Sequence, residues 1–273
     1  MDSFEINRRN WDERVPVHAA SDAYGLELFR TDPEHLSDVV RFDLERLGTI
    51  SGLRVVHLQC HIGTDTVSLA RLGAAHVTGL DFSPAAVEVA SRLALDLQLP
   101  VEIVESDCYS APAVLGHGQF DLVYTGIGAL CWLPDIDRWA KVVAHLLAPG
   151  GRLFVREGHP VLWALDYEIP DALVIAHPYF ETVDPIIDDE DTTYVETAAR
   201  LVNTVTHSWN HGLAEIITAL MRHGLKLTEF VEHMSVPWAA LPEQMVSAGA
   251  GEWVLRQNPA RLPLSYTIQA VKE

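Results

Sequence analysis

Apolar and polar positions along residues 50–160 fall into two alternating kinds of segment. Short, nearly unbroken apolar runs at 53–58, 77–80, 101–105, 120–124 and 152–156 have the length and composition of strands buried on both faces. Between them, 62–72, 84–97 and 136–147 place apolar residues at helical spacing, and Ser83-Pro84 supplies a cap and a first-turn proline for the second of these helices. This rhythm predicts a parallel sheet with helices on both faces. Right-handed crossovers then gather the loops that follow the strands at one edge, where ligands bind.

Outside that block the pattern changes. Residues 1–20 read as polar and irregular, and a helix is expected at about 34–47. Beyond residue 160 a proline-rich stretch carries Asp188-Asp189-Glu190-Asp191, best read as a solvated loop, and alternation at 193–195 and 201–206 suggests a hairpin or lid. A helix over 209–222 stops at Gly224, and strands at 227–231 and 265–271 flank an irregular segment rich in tryptophan and proline. The expected fold class is α/β: a Rossmann-like, seven-stranded, mostly parallel sheet flanked by helices.

Composition narrows the partners. The 273 residues are 48% apolar and 21% charged, enough for a full core in one domain. A net charge of -19, with Arg8-Arg9 the only adjacent basic pair, argues against nucleic acid and against anionic membranes. Cys60, Cys108 and Cys131 are odd in number and widely spaced, so neither a disulfide framework nor a CxxC metal site is expected. The first residues lack the apolar core of a secretion signal and no apolar run reaches membrane length, so a cytoplasmic location is expected.

The connection after the first strand, His57-Leu58-Gln59-Cys60-His61-Ile62-Gly63-Thr64-Asp65-Thr66, holds a single glycine and so lacks the spacing of a dinucleotide loop. The second strand ends in Asp81, an acid able to accept hydrogen bonds from two ribose hydroxyls. With VTGLDFSP at 77–84, ESDCY at 105–109, FDLVY at 120–124 and LLAPGGRLFV at 146–155, the chain resembles the class I S-adenosylmethionine-dependent methyltransferases over roughly 50–160. Its HLQCHIG loop is similar to that of a small-molecule subgroup. The family's strand-end acid is replaced by His57 and two of its loop glycines by Gln59 and His61, while Gly63 remains.

The resemblance implies S-adenosyl-L-methionine as cofactor, bound by His57, Gln59, Gly63, Thr64, Thr66, Asp81, Phe82, Asp107, Cys108, Tyr109, Tyr124 and Gly126. In that scheme Asp81 holds the ribose, Phe82 packs on adenine and Asp107 meets its exocyclic amine. It also implies one domain over 1–273, divided into an N-terminal cap (1–48), a cofactor core (49–158), a substrate-cap insertion (159–208) and a closing helix and strands (209–273). The candidate acceptor walls are Tyr24, Trp132, Trp163 and Trp209, and the candidate proton acceptors are Glu157, His159, His207 and His211. No metal is expected, because in-line transfer from a sulfonium needs alignment and exclusion of water. The expected acceptor is a neutral or cationic metabolite methylated on oxygen or nitrogen, a specialised natural product for example. An NAD-dependent oxidoreductase and a non-catalytic S-adenosylmethionine-binding module are the alternatives, and both a monomer and a homodimer remain open.

Overall fold

A computed structural model describes residues 2–273. Three helices, α1 (Ser3–Ala20), α2 (Leu26–Thr31) and α3 (Asp38–Leu47), precede the sheet. The alternating block follows as β1 (Arg54–Leu58), α4 (Thr64–Arg71), β2 (His76–Asp81), α5 (Pro84–Leu97), β3 (Val101–Glu105), α6 (Ala111–Leu115), β4 (Phe120–Thr125), α7 (Ile136–Leu146) and β5 (Leu147–Gly158). The remainder is α8 (Pro160–Trp163), β6 (Ile186–Asp189), β7 (Val205–Ser208), α9 (Leu213–Arg222), β8 (Leu225–His233), β9 (Ser235–Val236), β10 (Met245–Gly249), β11 (Glu252–Leu255) and β12 (Ser265–Lys272).

The main sheet has seven strands in the order β3-β2-β1-β4-β5-β12-β8. β1 to β5 run parallel, and β12 lies antiparallel to both of its neighbours. Alternate side chains feed two cores. On one face Val56, Leu58, Val123 and Val155 pack against Trp139 and Val143 of α7 and Leu220 of α9. On the other, Val55, Val77, Leu122 and Phe154 meet Val40 and Leu47 of α3 and Leu69 of α4. Ser83 caps α5 as expected, its hydroxyl accepting from the Ala86 amide at 3.1 Å with Pro84 in the first turn.

Four local expectations are corrected. Residues 3–20 form a helix, which has no apolar stripe because its buried side chains are mostly polar: Asn7, Asn10 and His18 alongside Val15. Asn7 exchanges two 2.8 Å hydrogen bonds with the His207 backbone, Asn10 donates to the Asn203 carbonyl, and Glu13 accepts from the amides of Val202 and Asn203. Pairing with backbone groups of the 200–208 segment thus replaces the apolar seam that a sequence pattern would reveal. The hairpin exists, but its first strand is β6, so Asp188 and Asp189 lie in a strand paired with Thr206 and Val205.

The segment between β8 and β12 is likewise more ordered than its sequence suggested. It forms a small antiparallel sheet, β10-β11-β9, tied to β5 by the buried two-pronged pair Arg156–Glu252 at 3.1 and 2.9 Å. The Pro149-Gly150-Gly151 turn is absorbed into β5, where the register jumps from Phe120↔Leu147 to Leu122↔Arg152. No helix among the described residues is long and apolar enough to cross a membrane.

Candidate functional site

The strand order reverses between β1 and β4, so the connections leaving these strands diverge and open a crevice at their carboxyl ends. The first connection has an unusual backbone. Gln59, His61 and Gly63 all have positive φ, at 56°, 48° and 81°, and the first two carry side chains in a region that costs an L-residue about 1–2 kcal/mol. Strain of this kind concentrates at functional loops. At Gly63 a Cβ would stand 2.8 Å from the Cβ of Ala90 on α5, so this glycine lets the loop press against a neighbouring helix.

Asp81 holds the same loop. One carboxylate oxygen accepts from the His61 amide at 2.8 Å and the other from the Ser83 amide at 3.0 Å. Burial lifts its carboxyl to about 6, opposed by these amides and that of Phe82. Each oxygen retains a lone pair for a hydroxyl donor. Beside it a groove of about 270 Å³ runs between α1 and the ends of β2 and β3, lined by Phe4, Arg8, Phe82, Ser106 and Asp107 among others. Asp107 accepts from the Ser110 amide through one oxygen, leaving the other to receive an amine. Cys108 and Tyr109 turn into the core, where the Tyr109 hydroxyl bridges the backbone of Asp135 and Arg138 lies over its ring.

Below the loop, His57 is buried and neutral, its pKa pulled to about 3 by desolvation, and it shares a 2.9 Å hydrogen bond with Thr66. A Cβ on Gly126 would fall 3.3 Å from Asp65 and 3.4 Å from His57 Nε2, so these two side chains face the same small surface. Thr64 is buried in the first turn of α4, and Gln59 reaches across to the Ala129 carbonyl. Tyr124 stands deeper, stacked on Phe154 and donating to Asp43 at 2.7 Å.

The N-terminal helices close the crevice with an aromatic cage. Trp11 contacts His61 and Trp132 edge-on at 5.0 and 5.3 Å, Tyr24 stacks on His18 at 5.3 Å, and the Tyr24 and Tyr194 hydroxyls share a hydrogen bond. His18 Nδ1 and His61 Nε2 share a hydrogen bond at 2.9 Å, and His18 Nε2 meets the Thr193 hydroxyl at 2.7 Å. Burial keeps both rings neutral, with His18 near 3 and His61 well below its ordinary value. Of the four expected acceptor walls, Tyr24 and Trp132 join this cage.

The other expected residues lie elsewhere. Trp163 and Trp209 line a small cavity of about 10 Å³, the room of one water, together with Leu130 and Cys131. Glu157 faces this cavity, but its carboxylate accepts from the amides of Gly128, Ala129, Leu130 and Gly158, so it pins the loop after β4. His211 binds Glu181 and the carbonyls of Leu130 and Leu133, and His159 caps α8 and meets Glu232. His207 pairs with the Ser3 hydroxyl. Asp65, Trp11, Arg14, His18 and Tyr194 were missed by sequence reasoning. A stripe at helical spacing, Asn7, Trp11, Arg14 and His18, is the signal that marks the face of α1 toward the site.

The fold is that of the class I S-adenosylmethionine-dependent methyltransferases. Residues 55–151 match the family model described as a methyltransferase domain. The chain is 34% identical over 128 residues to a ubiquinone biosynthesis O-methyltransferase of Xylella fastidiosa, and 32% identical over 123 residues to a demethylmenaquinone methyltransferase of Lactococcus lactis. These alignments cover 45% and 44% of the chain, which spans about half the length of those relatives, 49% and 48%. A solved S-adenosylmethionine-dependent methyltransferase from Mesorhizobium loti superimposes with TM-score 0.57 at 22% identity, covering 85% of this chain and 95% of the other. The geranyl diphosphate C-methyltransferase of Streptomyces coelicolor gives TM-score 0.57 at 14% identity, covering 86% of this chain and 77% of that one.

Proposed function

We propose that this chain transfers the methyl group of S-adenosylmethionine to an oxygen or nitrogen of a small molecule. The observation that carries the proposal is the meeting, at one sheet edge, of a buried strand-end acid, a groove lined by Phe82 and Asp107, and an aromatic cage. The donor set fits the cofactor. Asp81 keeps lone pairs for ribose hydroxyls, Phe82 offers a flat apolar face to adenine, and the free oxygen of Asp107 accepts from an exocyclic amine. Relatives named ubiquinone biosynthesis O-methyltransferase favour oxygen as the accepting atom.

When bound, the cofactor supplies a methyl group on a positively charged sulfur, which departs with the bonding electrons as a neutral thioether. The protein's part is to exclude water and align the acceptor. Trp11, Tyr24, Trp132 and Tyr194 provide the dry walls. The His18–His61 pair supplies the polar edge of these walls: burial holds both rings neutral, and rings pulled so far below the ordinary imidazole range hydrogen-bond as neutral groups and do not keep a proton at neutral pH.

Calorimetry with S-adenosylmethionine, S-adenosylhomocysteine and NAD tests the cofactor, and metabolite extracts incubated with isotopically labelled cofactor test the transfer. Asp81→Asn should weaken S-adenosylhomocysteine binding about tenfold or more, a loss of roughly 1.5–3 kcal/mol for one charge-assisted contact. Binding of NAD in preference to either adenosyl compound would sink the proposal.

A further inference from the structure

Arg14 makes no hydrogen bond and no ion pair with the other described residues. It projects from α1 with its guanidinium over the Trp11 ring, 5.2 Å from the ring centroid. Its Nε is sealed from solvent without a hydrogen-bond partner, and among the described residues no carboxylate pairs with it. The residue as a whole keeps part of its surface open. Through Trp11 the cation adjoins the cage, and its charge is felt by His18, His61, Tyr24, Tyr194 and Cys131. Glu190 and Asp188 are within electrostatic reach from the insertion, yet neither closes an ion pair.

A half-buried cation without a partner is costly, and a chain with 38 acidic side chains had many chances to supply one. Burial shifts the guanidinium below its usual range, the direction expected of a charge lacking compensation. Five N–H donors in a planar fork match a carboxylate oxygen for oxygen. A phosphate dianion would call for further cations, and no other arginine or lysine figures among the groups acting on this cage. Aromatic walls on the remaining sides suit a flat, apolar remainder.

We propose that Arg14 is the recognition group for a carboxylate on the methyl acceptor, so that the substrates are aromatic or otherwise apolar acids. This rests on the methyltransferase reading above. It also replaces the expectation of a neutral or cationic acceptor, which followed from net charge. The charge of the whole surface acts over a screening length of about 8 Å at physiological salt, whereas a partly desolvated cation acts at contact. The same carboxylate chemistry exists on the methionyl part of the cofactor, and the test separates the two sources.

Binding of S-adenosylhomocysteine and of 5′-methylthioadenosine, which lacks the amino-acid part, is measured by calorimetry on wild type, Arg14→Gln and Arg14→Lys. Benzoate, 4-hydroxybenzoate and cinnamate, each beside its carboxamide, are then titrated into the nucleoside-saturated proteins. The expected result is at least a tenfold preference for acid over amide in wild type, retained in part by Arg14→Lys and abolished in Arg14→Gln, with S-adenosylhomocysteine affinity unchanged within about twofold. Absence of the acid preference, or its survival in Arg14→Gln, overturns the assignment. A tenfold loss of S-adenosylhomocysteine affinity in Arg14→Gln with 5′-methylthioadenosine unaffected overturns it in favour of the cofactor's own carboxylate. Failure of wild type to bind either nucleoside sinks the methyltransferase reading, and the acid-against-amide comparison on the free protein then decides the role of Arg14 separately.

Discussion

Replacing Gly63 with alanine tests whether the first loop needs glycine for its backbone angle or for its neighbour. Gln59 and His61 occupy the left-handed region in the same loop while bearing side chains, so positive φ alone does not demand glycine there. What distinguishes Gly63 is the added Cβ, which would lie 2.8 Å from the Cβ and 3.2 Å from the Cα of Ala90. The angle costs about 1–2 kcal/mol and the overpacking against a fully buried helix position about 1–3, giving roughly 2–5 kcal/mol for Gly63→Ala. Ala90→Gly alone should cost about 1 kcal/mol from helix propensity, plus a smaller amount for the lost methyl. In the double variant the 2.8 Å contact disappears. It should therefore be more stable than the sum of the single effects by about 1–2 kcal/mol, measured by urea denaturation with unchanged slope. Strict additivity would refute the reasoning and leave the angle as the only reason for the glycine.

Two further outcomes follow from buried ionisable groups. Unfolded His57 takes up a proton as pH falls through 6.5, whereas the folded ring refuses it until about 3, so the unfolded state binds more protons in that window and stability drops with pH. His57→Asn should flatten that fall between pH 6 and 4 by up to about 1.4 kcal/mol per pH unit, and an unaltered slope in chemical denaturation would count against a neutral buried ring. Glu157→Ala strips the acceptor from four backbone amides and should lower stability by about 3 kcal/mol or more, read as a loss of over 5 °C in thermal melting, with Glu157→Gln recovering part. A fully stable Glu157→Ala protein lacking only turnover would instead return this residue to the chemistry.

The sheet was legible because its information is local and redundant. Five apolar runs, each flanked by helical spacing, leave little choice of layer architecture, and Ser83-Pro84 marks a helix start within one residue. α1 escaped because its buried face is largely asparagine and histidine: Asn7 and Asn10 meet backbone groups nearly two hundred residues away, and His18 meets the side chains of His61 and Thr193. A periodicity of apolar residues cannot report such a seam. The small sheet β10-β11-β9 escaped for a related reason, since its anchors are distant in sequence: Val236, Met245 and Leu255 pack with Leu162 and Leu165, and Glu252 pairs with Arg156, 96 residues away.

In the site, legibility followed how much of a residue's role is set by its own strand. Asp81, Phe82 and Asp107 stand where strand ends put them, and the structure groups them around one loop and one groove. Histidines and tryptophans after β5 carried no such constraint. Their chemistry suited a chamber, but Glu157, His159 and His211 are occupied by amides, carbonyls and a helix start, uses that any polar residue near a chain reversal can acquire. The reverse holds for Arg14, an ordinary surface residue by sequence that the fold leaves half-buried and unpaired. A polar side chain that the scaffold consumes has little left for a ligand, and one that the scaffold buries yet leaves unsatisfied has its binding energy still to spend. That difference, visible only once hydrogen bonds are assigned, is why the acceptor is proposed to sit against Arg14 on the inner face of α1 and not on the histidines at 159, 207 and 211.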